Sequence, residues 1–318
     1  MSWTRKRAAF IATLTNIEES TTSTLKYRMG VISDSHVSYT NGESHLTSAL
    51  QTLYDKKAEF IVSCGDPTVN GTDNEWSTYL NIIDSSPYGR DQIYECIGNH
   101  EFRSDGEDAS FTKFRINANN GRLADGSGIP YFSVSINGDL FIFLMIEHST
   151  PNSADCFSTE QLDWLESELD THYGKDYNIF ILEHSLFYGW GSGDAISNGS
   201  ATYPRALSLS YSGHVRLKSI LEVHPNVIML HGHTHIRLED ITSGLIVYAE
   251  PENGGCHQLH VPSITAGKTL SSSGEPSVDW SMPPECWICD VYSDKLVFTG
   301  IRADTGIEIP NMVYTIAK

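Results

Sequence analysis

Tyr27-Arg28-Met29-Gly30-Val31-Ile32-Ser33-Asp34-Ser35-His36 is an apolar run that ends in an aspartate and a histidine two residues apart. The run reads as a short buried strand. Polar residues at the carboxyl end of a first strand stand where open α/β sheets place their ligands. Working outward, Ser44 to Lys57 carries Leu46, Ala49, Leu50 and Leu53 at helical spacing and predicts a crossover helix. Glu59-Phe60-Ile61-Val62-Ser63-Cys64 is a second strand, followed by Gly65-Asp66. Strand, helix, strand implies parallel pairing, so Asp66 is expected beside Asp34. A helix near Asn74 to Ile83 leads to a third strand, Gln92 to Ile97, which delivers Gly98-Asn99-His100-Glu101. Each strand is built to be buried and each stops in polar residues, a repetition that solubility does not explain.

The polar, Gly-rich stretch 102–129 reads as a loop or lid flanking a site. Tyr131 to Ile136 and Leu140 to Ile146 form a hairpin around Asn137-Gly138, with Glu147-His148 at its end. Thr159 to Leu169 has a helical stripe capped by Ser158 or Thr159. Asn178 to Leu182 is another strand, ending in Glu183-His184. A second loop, 187–212, carries Phe187, Tyr188 and Trp190, aromatics that more often pack a loop down than stack on a ligand. A short helix, Val215 to Glu222, precedes Asn226-Val227-Ile228-Met229-Leu230 and then His231-Gly232-His233-Thr234-His235. Three histidines in five residues are costly to bury without strong partners, and imidazole is the commonest metal ligand. Strands at 245–249, 286–292 and 295–301 carry no metal pattern and are expected to complete a second sheet. Residues 1–26 read as an N-terminal extension and 27–318 as a single domain.

The 318 residues suffice for a well-buried core, and 40% hydrophobic with 19% charged residues is ordinary for a soluble globular chain. A formal charge of −19 disfavours nucleic acid as a partner, yet bound cations can reverse the local field for a small phosphorylated substrate. Six cysteines are too sparse for a disulfide scaffold. Cys286 and Cys289 sit three apart in a strand, on opposite faces, which argues against a shared zinc. No run is long enough to span a membrane. Ala8 to Leu14 only weakly imitates a secretory signal, so the expected location is cytoplasmic. The oligomeric state is not readable.

Five strand ends thus supply Asp34-x-His36, Gly65-Asp66, Gly98-Asn99-His100, His184 and Gly232-His233-x-His235. Mixed Asp, Asn and His ligands suit Mn, Fe or Zn better than Ca or Mg. Seven ligands with one shared carboxylate fill two sites and leave room for water, as a two-metal hydrolase with ions about 3.5–4 Å apart requires.

From Arg28 to Arg237 these ordered motifs resemble the calcineurin-like metallophosphoesterase superfamily. The resemblance implies an α/β fold, a four-layer α/β/β/α sandwich with two central mixed β-sheets. It implies one metal at Asp34, His36, Asp66 and His235 and another at Asp66, Asn99, His184 and His233, with Asp66 bridging. By the same resemblance His100 stabilises the transition state or protonates the leaving oxygen, an outer-shell role orienting Asp34 being the alternative. His231, His148 and His45 match no motif position and are expected to be structural. Gly65-Asp66-Pro67-Thr68-Val69 lacks the Asp-Arg-Gly continuation of protein phosphatases and the tyrosine of purple acid phosphatases, which leaves the broad bacterial cyclic-nucleotide phosphodiesterase-like group. Glu101 stands where many members of that bacterial group have Asp, a Glu there being common in protein phosphatases and purple acid phosphatases, and Glu183 departs from a frequent His-His pair.

The expected function is a dinuclear metal-dependent phosphoesterase. It would hydrolyse a phosphomonoester or phosphodiester by in-line attack of a metal-bridging hydroxide, with Mn the favoured metal over Fe or Zn. An acidic nuclease of the same fold and a non-catalytic binding or scaffold member are the alternatives.

Overall fold

The computed structural model describes residues 23–121, 130–149, 154–187, 206–239, 248–249, 255–265, 267–270, 276–279 and 281–318. Strands β1 (Leu25–Ile32), β2 (Phe60–Ser63) and β3 (Ile93–Glu95) alternate with helices α1 (Gly42–Asp55) and α2 (Asp73–Ser85). There follow α3 (Glu107–Asn117), the hairpin β4 (Phe132–Ile136) and β5 (Asp139–Phe143), α4 (Thr159–His172), β6 (Ile179–Glu183), α5 (Ser212–Glu222) and β7 (Val227–His231). The remaining strands are β8 (Tyr248–Ala249), β9 (His257–His260), β10 (Gly267–Leu270), β11 (Pro276–Asp279), β12 (Glu285–Tyr292), β13 (Lys295–Arg302) and β14 (Glu308–Ala317).

They form two six-stranded mixed sheets, ordered β14-β13-β12-β1-β2-β3 and β4-β5-β6-β7-β9-β8, beside a small β10-β11 hairpin. Leu46, Ala49, Leu50 and Leu53 of α1 are buried as the spacing predicts. Leu53 seats over Gly30 of β1, where a Cβ would come within 2.8 Å of its Cδ1. The helix therefore covers the outer face of the first sheet. Threonine at position 72 closes a reciprocal capping box with Glu75 and fixes the start of α2, which packs beside α1. On the second sheet α4 starts at Ser158, whose side chain accepts the Gln161 N–H, and packs beside α5.

The inner faces of the sheets meet directly. Phe60 of β2 stands edge-on to Phe141 of β5 at 5.7 Å, and the Tyr27 hydroxyl of β1 donates to the buried Asp139 of β5 at 2.6 Å. Helices outside, sheets inside, is the α/β sandwich expected. Strands β1, β2 and β3 pair in parallel, as do β5, β6, β7 and β9. Their carboxyl ends converge on one pole.

Two expectations need correction. The tail does not serve one sheet: β8 and β9 extend the second, whereas β12, β13 and β14 extend the first through antiparallel pairing of β12 with β1. Val291, Cys289 and Trp287 are buried on that shared ladder, so the apolar tail strands are spent on closing the sheet that holds β1. The stretch 102–129 is not simply a loop, because it contains α3, whose Phe114 is fully buried against Trp76 at 6.2 Å. Its apolar stripe is only Phe111 and Phe114, too short to read as a helix period. Tyr188 and Trp190 lie outside the described residues, while Phe187 is buried and bridges to Leu207. Cys286 and Cys289 are buried free thiols. Among the described residues no helix is long and apolar enough to cross a membrane.

Candidate metal centre

The ends of β1, β2 and β7 are tight backbone turns that aim aspartate and histidine side chains into the gap between the sheets, and the ends of β3 and β6 add Asn99 and His184. Asp34, His36, Asp66, His233 and His235 all have positive φ, between 40° and 71°. Such a conformation is uncommon for residues with a Cβ, and its clustering at strand ends marks a functional constraint. Glycines make room. A Cβ at Gly98 would stand 2.0 Å from Asp66 Oδ1, and one at Gly232 would stand 1.9 Å from Ser33 Oγ and 2.7 Å from Asp34 Oδ2.

Two groups of ligand atoms result, each lying within 4.8 Å: Asp34, His36, Asp66 and His235, and Asp66, His184 and His233. Asp66 is common to both. The Asn99 side-chain oxygen lies 3.3 Å from His184 Nε2 and so stands beside the second group. All seven sequence-predicted ligand residues are buried and gathered at one pole.

Backbone carbonyls set the imidazoles. His36 Nδ1 donates to the Thr68 carbonyl at 3.1 Å and His184 Nδ1 to the Cys64 carbonyl at 2.6 Å, which leaves each Nε2 facing the cluster. His36 Nε2 meets His235 Nε2 at 3.1 Å. Two ring nitrogens that close need a cation or a proton between them.

The carboxylates are oriented in the same way. Asp34 Oδ2 accepts from Ser33 Oγ at 2.5 Å and from His233 N–H at 3.0 Å, and Asp66 Oδ1 accepts from His100 N–H at 2.9 Å. Their other oxygens, Asp34 Oδ1 and Asp66 Oδ2, are buried without a well-aligned hydrogen-bond donor among the described residues. They face imidazoles instead: His235 at 2.8 Å from Asp34 Oδ1, and His184 at 3.2 Å and His36 at 3.6 Å from Asp66 Oδ2. One held oxygen and one open oxygen per carboxylate is a donor set that fits a pair of cations.

Electrostatics agree. Burial opposes ionisation of Asp34 and Asp66, yet the neighbouring imidazoles hold both well below the usual carboxylate range. Burial likewise works against a charged His184, but Asp66 lifts its pKa to about 10. The shared carboxylate therefore demands a positive charge beside it, which a bound cation can supply while leaving His184 neutral.

His100 follows Asn99 and is buried. Its Nδ1 donates to the Val69 carbonyl at 2.8 Å, its Nε2 lies 3.8 Å from Asp66 Oδ2, and burial pushes its pKa down to about 2. His231, as expected, stays out of both groups: it pairs in register with Glu183 and His260 on the neighbouring strands. His148 Nδ1 contacts Glu107, and His45 Nδ1 contacts the Ile264 carbonyl.

Several supporting residues have a role that the sequence does not announce. Glu101 is no ligand. It accepts from Thr68 N–H, Thr68 Oγ1 and Gly98 N–H, lacing the second and third motif loops together. Ser263 donates to the Asp34 carbonyl and Ile264 N–H to the Ser33 carbonyl, so a tail segment braces the first motif. A glutamate beside the Asn-His pair was the only signal for the former, and no spacing rule announces the latter.

A family model described as calcineurin-like phosphoesterase matches residues 27–237. A search of curated protein sequences finds no match. Among solved structures, a dimetal phosphatase from Danio rerio is similar, with TM-score 0.62 and 15% identity over 92% of this chain and 99% of that one. A purple acid phosphatase, PPD1, from yellow lupin (Lupinus luteus) seeds has TM-score 0.59 and 14% identity over 92% of this chain and 53% of that one. At such identity these likenesses speak for the shared fold. With the family match spanning the strands that carry every motif, the chain belongs to the calcineurin-like phosphoesterase family.

Proposed function

We propose that this protein is a dinuclear metal-dependent phosphoesterase acting on a small phosphorylated substrate, a phosphomonoester or phosphodiester. The observation that carries the reading is the sharing of Asp66 between two buried ligand groups. Asp34, His36, Asp66 and His235 would hold one ion, and Asp66, Asn99, His184 and His233 the other, with Mn favoured over Fe or Zn. When bound, the pair supplies Lewis acidity, lowering the pKa of water and neutralising charge on phosphoryl oxygens.

The chain's own residues do the rest. Ser33 and the His233 N–H fix the rotation of the Asp34 carboxylate, and the His100 N–H fixes that of Asp66. The Val69 carbonyl holds the His100 proton at Nδ1, which leaves the Nε2 lone pair as the atom that can accept a proton or a hydrogen bond beside the reacting phosphoryl group. The burial of every ligand limits competing water. The charge of −19 makes a polynucleotide the less suitable substrate.

Metal-stripped protein is expected to be inactive on p-nitrophenyl phosphate and bis-p-nitrophenyl phosphate, with Mn²⁺ restoring at least one activity. Inactivity with Mn, Fe, Zn, Ni and Co alike, across a pH range of roughly 5 to 9 where imidazole and bound water titrate, would refute the proposal.

A further inference from the structure

The segment after the first motif carries an aromatic ring that the ligand groups do not use. Strand direction continues through Val37, which bridges to Thr68, and breaks at Ser38, whose φ is 79°. Tyr39 N–H donates to the His36 carbonyl at 3.0 Å, and the Tyr39 carbonyl accepts from Gly42 N–H at 2.9 Å. A Cβ at Gly42 would stand 2.5 Å from the His36 carbonyl oxygen, so the chain on both sides of Tyr39 is seated against His36. The ring centre lies 5.3 Å from that of His36 and, edge-on, 6.3 Å from that of His100, while those two are 4.3 Å apart. His36 and His100 are buried, whereas Tyr39 is half-buried and stands outside the hydrophobic core cluster. An aromatic ring set against two site imidazoles, in a residue that is only half-buried, stands where it can contact a ligand held beside His36 and His100.

We propose that Tyr39 determines specificity: its ring contacts the leaving group of the phosphoryl substrate and selects planar, unsaturated leaving groups over small aliphatic ones. The inference rests on the phosphoesterase reading and adds a substrate class to it. Ring contacts of this kind are worth about two- to tenfold in affinity, and a ring already held by its backbone loses little freedom on binding.

Calorimetric binding of phenylphosphonate, methylphosphonate and inorganic phosphate to the Mn²⁺-loaded protein tests this without turnover. Phenylphosphonate is expected to bind about two- to tenfold tighter than methylphosphonate to the wild type and to Tyr39→Phe. In Tyr39→Ala that preference is expected to vanish, with phosphate affinity and metal content unchanged. The same preference in Tyr39→Ala and wild type overturns the proposal, as does failure of the wild type to bind any of the three anions. A parallel loss for all three also overturns it, because it marks a ring that only braces His36 and His100. If the preference behaves as expected but no ester is hydrolysed, the phosphoesterase reading fails and the selectivity of Tyr39 stands.

Discussion

Asp66 Oδ2 lies 3.2 Å from His184 Nε2, and the same oxygen is 3.6 Å from His36 Nε2. One carboxylate oxygen thus faces imidazoles of both ligand groups. Replacing it with an amide points N–H donors at lone pairs that should be directed at cations. Asp66→Asn is therefore expected to lose metal at both sites, from roughly two ions per chain to less than one. His100→Asn should keep its metal and lose about 10²- to 10⁴-fold in turnover. Elemental analysis beside kinetics decides it; equal metal loss in both variants would refute the division of roles.

The glycines in the motifs are steric requirements. Gly232→Ala drives a methyl into Ser33 Oγ and Asp34 Oδ2, and Gly98→Ala drives one into Asp66 Oδ1. Disturbing the partners that orient a metal ligand lowers metal affinity about 10- to 100-fold. Gly232→Ala is expected to weaken the Asp34 site, Gly98→Ala both sites, and Ser33→Ala the Asp34 site alone. Competition with a chelator measures this, and wild-type affinity in folded Gly232→Ala would contradict it.

Sequence carried the site further than it carried the sheets. Asp34, Asp66, Asn99, His184, His233 and His235 each follow an apolar run, and where the run stops the side chain leaves the core, so position along the chain implies position at one pole. Sheet membership has no such signature. Cys286 to Tyr292 is as apolar as a strand of either sheet, and only its ladder to β1 reveals that it closes the first. Strands β9 and β14 carry little strand signature in the sequence. His257-Gln258-Leu259-His260 has little apolar content, and Pro310-Asn311 interrupts the period where β14 shifts register against β13. The bracing of Asp34 by Ser263 spans 229 positions, beyond any local reading.

The loop after His235 is clamped to the first sheet by charge. Arg237, 3% exposed, lies 2.9 Å from Glu285 and 2.9 Å from Glu239, and Glu239 in turn pairs with Arg302. Burial pushes the Glu285 pKa up to about 7 against the pull of Arg237. Removing the arginine leaves a buried carboxyl uncompensated, so Arg237→Met is expected to cost about 3–5 kcal/mol. Arg237→Met/Glu285→Gln should recover part of that. Urea titrations report both, and a wild-type midpoint for Arg237→Met would show the clamp to be dispensable.

Glu95 makes stability depend on pH in a direction that can be worked out. Its buried carboxyl accepts the Tyr79 hydroxyl at 3.1 Å, yet burial pushes its pKa from 4.5 up to about 8. Below 4.5 both folded and unfolded chains hold the proton. Between 4.5 and about 8 the unfolded chain has released it and the folded chain has not, so Glu95 lowers stability as pH rises, and the loss levels off above about 8. Glu95→Gln keeps an acceptor for Tyr79 and removes the titration. In chelator, which silences metal linkage, the variant is expected to gain on the wild type as pH rises through that window, by up to about 1.4 kcal/mol per pH unit. Other buried carboxyls, such as Glu183 and Glu101, titrate in both proteins and largely cancel in the difference. A gap between the two unfolding free energies that stays constant across the window would mean that Glu95 is ionised in the folded protein.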